Sequence, residues 1–198
     1  MKIKLTPFQA HKERWRDCTA CDLHKVRHQV VLARGKIPCD ILFVGEAPGR
    51  SEDALGVPFI GPAGKLLDEI IESALFFSPE REDVRPLWAD MRIAFTNLIC
   101  CIPIDEDEKL DEPPHDSVMA CRPRLMEFAN IAKPKLIVKV GKHAQAYLEP
   151  GYRDSVRLPP CKRMEMVHPA FILRAVPAQQ NVLTQRAIVT LRNAVEEL

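Results

Sequence analysis

Three polar residues stand directly after or at the end of apolar runs. Glu46 follows Ile41-Leu42-Phe43-Val44 and Gly45, Asn97 ends Ile93-Ala94-Phe95-Thr96-Asn97, and His168 follows Met164–Val167. A carboxylate placed so close to a buried run can orient a water or stabilise developing positive charge. An amide at position 97 carries both a donor and an acceptor, which suits the edge of a nucleobase or an amide, although a strand-end asparagine also satisfies a turn. His168 precedes Pro169, and the proline holds it in an extended backbone. Phe59 is core filler by default, yet in Pro58-Phe59-Ile60-Gly61 the nearby glycine lets a flat ligand approach. Glu52 and Asp53 lie in the same loop, where acids are ordinarily solvated or cap a helix.

The second constellation is thiol-based. Among seven cysteines, Cys18 and Cys21 form a C-x2-C pair, and Cys101 and Cys121 are candidates to complete a four-ligand site. A C-x2-C pair alone also fits redox chemistry. Four thiolates hold zinc or an iron–sulfur cluster, and spacing does not choose between them. Cys100 competes with its neighbour Cys101. Cys39 and Cys161 read as small buried hydrophobes.

The elements that must position these groups alternate. Thr6, Pro7 and Gln9 start a helix with a capping box that runs towards Cys18. A strand covers Asp40 to Val44. The stretch from Gly45 to Gly64 is too long and too rich in glycine and proline for a simple connector. Leu66, Leu67, Ile70, Ile71, Ala74 and Leu75 then fall at helical spacing. Ile93 to Leu98 is a strand, and Asp105 to Glu112 is an acidic surface stretch. A helix follows from Asp116 to Ala132, disturbed by Pro123. Strands over Leu136–Val140 and Met164–Val167 and a helix from Val182 to Leu198 complete the chain. Such alternation predicts a parallel sheet covered on both faces, with ligands bound beyond the carboxyl ends of its strands. Glu46, Asn97 and His168 should therefore meet in one crevice.

Composition narrows the classes. The chain has 198 residues, 46% hydrophobic and 28% charged, with a net charge of +1. Global charge does not mark a nucleic-acid binder, so contact with DNA would need a local basic patch. No apolar run approaches the ~20 residues of a bilayer span, and the first residues lack the apolar core of a signal peptide. A cytoplasmic protein with no membrane partner is the expectation. The Gly45–Gly64 stretch has no Gly-x-Gly-x-x-Gly and no Gly-Lys-Ser/Thr, which removes nucleotide cradling.

Taken together, "GEAPGRSEDALGVPFIGPAGKLL", "TNLICCIP", "ACRPRL" and "HPAFILR" resemble the motifs of the family-four uracil-DNA glycosylases, the iron–sulfur members of their superfamily. The motifs run in order over nearly the whole chain. The resemblance implies a single domain over residues 1–198, folded as an α/β three-layer α/β/α sandwich with a four-stranded parallel sheet. It implies a [4Fe–4S] cluster on Cys18, Cys21, Cys101 and Cys121. The implied activity is hydrolytic excision of uracil from single- or double-stranded DNA by a monomer, leaving an abasic site without lyase chemistry. In that reading Phe59 stacks on the base and Asn97 reads its polar edge. Ala47 offers backbone groups to the base, and Glu52 supports the pocket. His168 donates to the departing uracil oxygen, and Glu46 places the water and favours the cationic sugar. Arg163 and Arg174 grip phosphate, with Arg122, Arg124, Lys142 and Lys162 as further cations, and Ile172 or Leu173 fills the gap left by the flipped base. The family pattern Thr-Asn-x-x-Lys-Cys-Arg-Pro is altered here: Cys100 stands at the lysine and Ile102 at the arginine, removing two positive charges. The competing classes are a DNA-binding module that does not cut and a glycosylase for another modified pyrimidine.

Overall fold

The computed structural model describes residues 4–75, 90–105, 107–149, 151 and 155–198. In chain order the elements are α1 (Pro7–Trp15), β1 (Ala33–Gly35), β2 (Ile41–Gly45), α2 (Arg50–Leu55), α3 (Pro62–Leu75), β3 (Ile93–Asn97), α4 (His115–Ala132), β4 (Leu136–Val140), α5 (Lys142–Tyr147), β5 (Lys162–Met166), α6 (Pro169–Arg174) and α7 (Pro177–Glu196). No helix among the described residues is long and apolar enough to cross a membrane.

The sheet has five strands in the order β1-β3-β2-β4-β5. The pairs β2–β3, β2–β4 and β4–β5 are parallel. This corrects the expected four-stranded sheet. The added strand, β1, is three residues long and runs antiparallel along β3, with Ala33 opposite Thr96 and Gly35 opposite Ala94. Three residues are too few to show an alternation, so pairing with β3 rather than local pattern makes this segment a strand.

Alternation along the central strands builds both cores, because successive side chains point to opposite faces. Ile41, Phe43, Leu136 and Val138 pack with residues of α3 and α7. Leu42, Val44 and Ile137 pack with Val118, Leu125 and Phe128 of α4. The result is a three-layer α/β/α arrangement with its sheet buried on both sides. The capping box opens α1 as expected: Gln9 N donates to Thr6 Oγ1 at 3.2 Å and Thr6 N to Gln9 Oε1 at 2.8 Å.

One charged side chain lies deep in this frame. Arg124 of α4 is 1% exposed. Its guanidinium donates to Thr96 Oγ1 at 2.8 Å, to the Asn97 carbonyl at 2.7 Å and to the Leu98 carbonyl at 2.8 Å. Thr96 in turn donates to the Leu32 carbonyl at 2.8 Å. Arg124 was among the residues expected to grip phosphate, and burial removes it from that role. It satisfies the Asn97 and Leu98 carbonyls where β3 ends. Buried acceptors left unmet are costly. Replacing Arg124 by Met is expected to lower the unfolding free energy by roughly 2–5 kcal/mol, read from urea-denaturation midpoints. A loss below ~1 kcal/mol would show that water can take over its three bonds.

Candidate active site

The long loop after β2 is held from within. Glu52, in the first turn of α2, accepts from Gly49 N at 3.1 Å and from Gly61 N at 3.0 Å, so one carboxylate closes the loop at both ends. Asp53 beside it is 2% exposed. It accepts from His28 N at 3.1 Å and contacts His28 Nδ1 at 2.6 Å, tying α2 to the segment before β1. The loop thus contains a short helix that its glycines and prolines concealed, and α3 begins at Pro62, inside the stretch from Gly45 to Gly64.

The ladder between β2 and β3 continues past both strands. Leu98 N donates to the Gly45 carbonyl at 2.9 Å and Ile99 N to the Glu46 carbonyl at 3.2 Å, which fixes the backbone of Glu46. Gly45 and Asn97 are register partners. A Cβ at position 45 would lie 2.4 Å from Asn97 Oδ1 and 2.5 Å from Phe59 Cζ. Only a hydrogen there lets the amide, the ring and the backbone meet. Phe59 itself has φ +57°, and its carbonyl accepts from Arg34 Nη2 at 3.2 Å.

A crevice of about 700 Å³ opens at the carboxyl ends of β2, β4 and β5, lined by Glu46, Ala47, Gly141, Lys142, His168 and Arg174 among others. His168 is the N-cap of α6, and its Nδ1 accepts from Ala170 N at 3.1 Å. A nitrogen that accepts carries no proton, so in the neutral ring the proton sits on Nε2. Burial pushes the His168 pKa below the ordinary value; Glu46 opposes this, and Arg174 adds to it. Gly141, at φ +86°, allows the close approach, since a Cβ there would be 3.0 Å from His168 Cβ. The crevice therefore holds a carboxylate on one wall and a neutral N–H donor on another.

The expected residues do not all reach it alike. Glu46, Ala47, His168 and Arg174 line the crevice. Asn97 and Phe59, 3% and 6% exposed, lie behind Gly45. Glu52 faces loop backbone rather than open space. Arg163 sits near the amino end of β5, away from His168, and its guanidinium donates to the Leu148 carbonyl at 3.2 Å. Lys162 is engaged with Glu197 and the Ala194 carbonyl. Ile172 is 1% exposed and belongs to the core, so it cannot enter a base stack as expected. Its neighbours Phe171 and Leu173 are exposed instead. Helical phase decides this: on α6 the inward position falls on Ile172. Glu106 of the acidic stretch lies outside the described residues.

Two residues went unnoticed in the sequence. His143 Nδ1 lies 2.7 Å from Glu46 Oε2. Arg27 Nη1 donates to Cys101 Sγ at 3.3 Å. Each partner is far away in the chain, and no local motif announces either.

The thiols gather at a second place. Cys18, Cys21, Cys101 and Cys121 line one small cavity, together with Cys100 and Arg27. All seven cysteines are free of disulfides. Among the described residues no three Cys, His, Asp or Glu side chains converge tightly enough for a single metal ion. Four thiols around one cavity are a donor set that serves zinc or an iron–sulfur cluster.

Residues 32–192 match the sequence pattern of the uracil DNA glycosylase superfamily. The chain belongs to that superfamily. It is 38% identical over 133 residues to the type-4 uracil-DNA glycosylase of Saccharolobus solfataricus, covering 67% of this chain and 55% of that protein. It is 36% identical over 131 residues to the type-4 enzyme of Archaeoglobus fulgidus, covering 66% and 58%. With the type-4 enzyme of Thermotoga maritima it shares 33% identity over 172 residues, covering 82% and 81%. The chain thus spans little more than half the length of the first two relatives.

The state of His168 can be read directly. Nitrogen-15 NMR of the imidazoles is expected to show an unprotonated Nδ1 and a protonated Nε2 for His168. This pattern should persist at pH 6.5, where an ordinary histidine is half charged. The sign follows from burial: the folded state disfavours the added proton, so the charged ring appears only further into acid. A His168 half protonated at or above pH 6.5 would contradict the geometry.

Proposed function

We propose that this chain is a monofunctional uracil-DNA glycosylase that hydrolyses the bond between uracil and deoxyribose in DNA. The observation that carries the reading is one crevice lined by both the Glu46 carboxylate and a half-buried His168 whose pKa burial lowers. Superfamily membership and the similarity to type-4 uracil-DNA glycosylases support it.

The chemistry needs both groups. An enzyme working on a base takes it out of the stack into a pocket. Breaking the glycosidic bond leaves positive charge on the sugar and negative charge on uracil. A neutral imidazole donating from Nε2 stabilises the uracil anion through a preorganised dipole, without first having to lose a charge of its own. A carboxylate on the opposite wall favours the cationic sugar and accepts from the attacking water. Asn97, which carries a donor and an acceptor behind Gly45, is suited to the polar edge of the base, and the Phe59 ring to its face. Arg174 at the crevice rim supplies charge for phosphate. Exposed Leu173, rather than Ile172, is placed to fill the vacated stack.

The proposed cofactor is a [4Fe–4S] cluster on Cys18, Cys21, Cys101 and Cys121. The donor set is the chemistry such a group requires. When bound, it supplies a covalent cross-link between the segment after α1, the segment after β3 and α4. Arg27 favours Cys101 over Cys100 as third ligand, because a cation donating to sulfur supports a thiolate. Burial raises both thiols, Cys101 to about 11 and Cys100 well above the ordinary value, and Arg27 offsets part of that rise at Cys101.

Two measurements test these readings. Uracil-containing single- or double-stranded DNA incubated with the protein and then treated with alkali should break at the former uracil positions and not at thymine. His168→Ala should slow single-turnover uracil release by ~10²–10³ with DNA affinity preserved. Alkali-stable DNA after incubation with the iron-loaded protein would overturn the activity, and affinity falling in step with rate would overturn the role of His168. Anaerobically purified protein should contain iron and acid-labile sulfide, lost in Cys101→Ser and kept in Cys100→Ser. Stoichiometric zinc in place of iron, or the reverse outcome in the two variants, would overturn the ligand assignment.

A further inference from the structure

We infer that His143 is a positioning residue for Glu46, holding one carboxylate oxygen aside so that the other faces the reaction. This rests on the proposed glycosylase reading of the same site. The backbone of Glu46 is fixed by Ile99, but its side chain could still turn about its own bonds. His143, in the first turn of α5, meets it: Nδ1 lies 2.7 Å from Glu46 Oε2. The other ring nitrogen, Nε2, lies 3.5 Å from Glu112 Oε2. The imidazole thus stands between a carboxylate of the crevice wall and one of the acidic stretch. The approach to Glu46 is an electrostatic contact rather than an aligned hydrogen bond, since Nδ1 is buried with no aligned partner among the described residues.

The acidic stretch acquires a use in this arrangement. Glu112 is held at the rim by Lys142, whose Nζ donates to Glu112 Oε1 at 2.6 Å. Arg50, at the start of α2, bonds the carbonyl of Glu108. The stretch also closes on itself, with an antiparallel bridge between Ile104 and Leu110. It is therefore tied to the catalytic loop and to α5, and it presents Glu112 to His143. The chain Glu112–His143–Glu46 orders a side chain through its neighbours: the outer acid orients the ring, and the ring orients the inner acid. A carboxylate has two oxygens, so occupying Oε2 leaves Oε1 to accept from a water. Misplacement of such a group by about 1 Å can cost ~10² in rate even when nothing else moves.

The test separates orientation from folding and from binding. His143→Ala is expected to slow single-turnover uracil release by about 10-fold to 10²-fold, with DNA affinity unchanged. His143→Asn keeps a polar group near the position of Nδ1 and should recover most of the rate. In NMR spectra the His143 ring resonances, identified by their loss in His143→Asn, should move in both Glu46→Gln and Glu112→Gln. A wild-type rate in His143→Ala, equal slowing in the Ala and Asn variants, or ring resonances unmoved by both carboxylate changes would each overturn the positioning role. Wild-type protein that releases no uracil would overturn the glycosylase reading and this role with it. The ring resonances would still report the Glu112–His143–Glu46 contact, so that failure is distinguishable from a missing contact.

Discussion

The buried guanidinium of Arg124 is the constraint around which this molecule is arranged. Where the chain leaves β3, α4 sends in one planar, permanently charged fork that meets the Thr96 hydroxyl and the Asn97 and Leu98 carbonyls. Lysine, with a single ammonium, could not reach three acceptors spread over three residues. The same side chain lines the cavity of the thiols. One residue therefore sets both the angle at which Asn97 leaves the sheet and the path that carries the chain on to Cys100 and Cys101. The amide behind the crevice and the cysteine cage are joined through one anchor.

The two halves of the crevice are controlled by different means. Glu46 is governed by backbone: its carbonyl is caught in an extension of the β2–β3 ladder, so its position follows from sheet register. His168 is governed by desolvation and by a helix start. Capping α6 with Nδ1 fixes the tautomer, and burial keeps the ring neutral. A register slip would displace the acid, whereas a change in packing around α6 would charge the base.

Much of this arrangement was legible in the chain, and the losses have physical causes. The central strands and α1, α3 and α4 follow from periodicity and capping, because each is long enough to show a pattern. β1, α2 and α6 span three, six and six residues, too short for periodicity to speak. Without α6, the phase that turns Ile172 inward and Leu173 outward could not be assigned. The loop acids were read as polar groups near a pocket, but sequence does not tell a carboxylate that faces a ligand from one that faces its own backbone, as Glu52 does. Charge was likewise visible where burial was not: Arg124 and Arg174 look alike in the sequence and stand at opposite extremes of exposure. His143 and Arg27 act on partners distant in the chain, and only the fold brings them there.

Under the proposed function, the pairing of Lys142 with Glu112 bears on how this surface would meet a polyanion. Both side chains are well exposed, and such pairs contribute only ~0–1 kcal/mol. A phosphate arriving at Lys142 would release a cation from the nucleic acid and at the same time displace Glu112 from the lysine. The carboxylate it releases must gather a counterion of its own. Salt competes with nucleic acid less at this point than a count of rim lysines and arginines would suggest, because the protein already carries part of its own ionic atmosphere in covalent form.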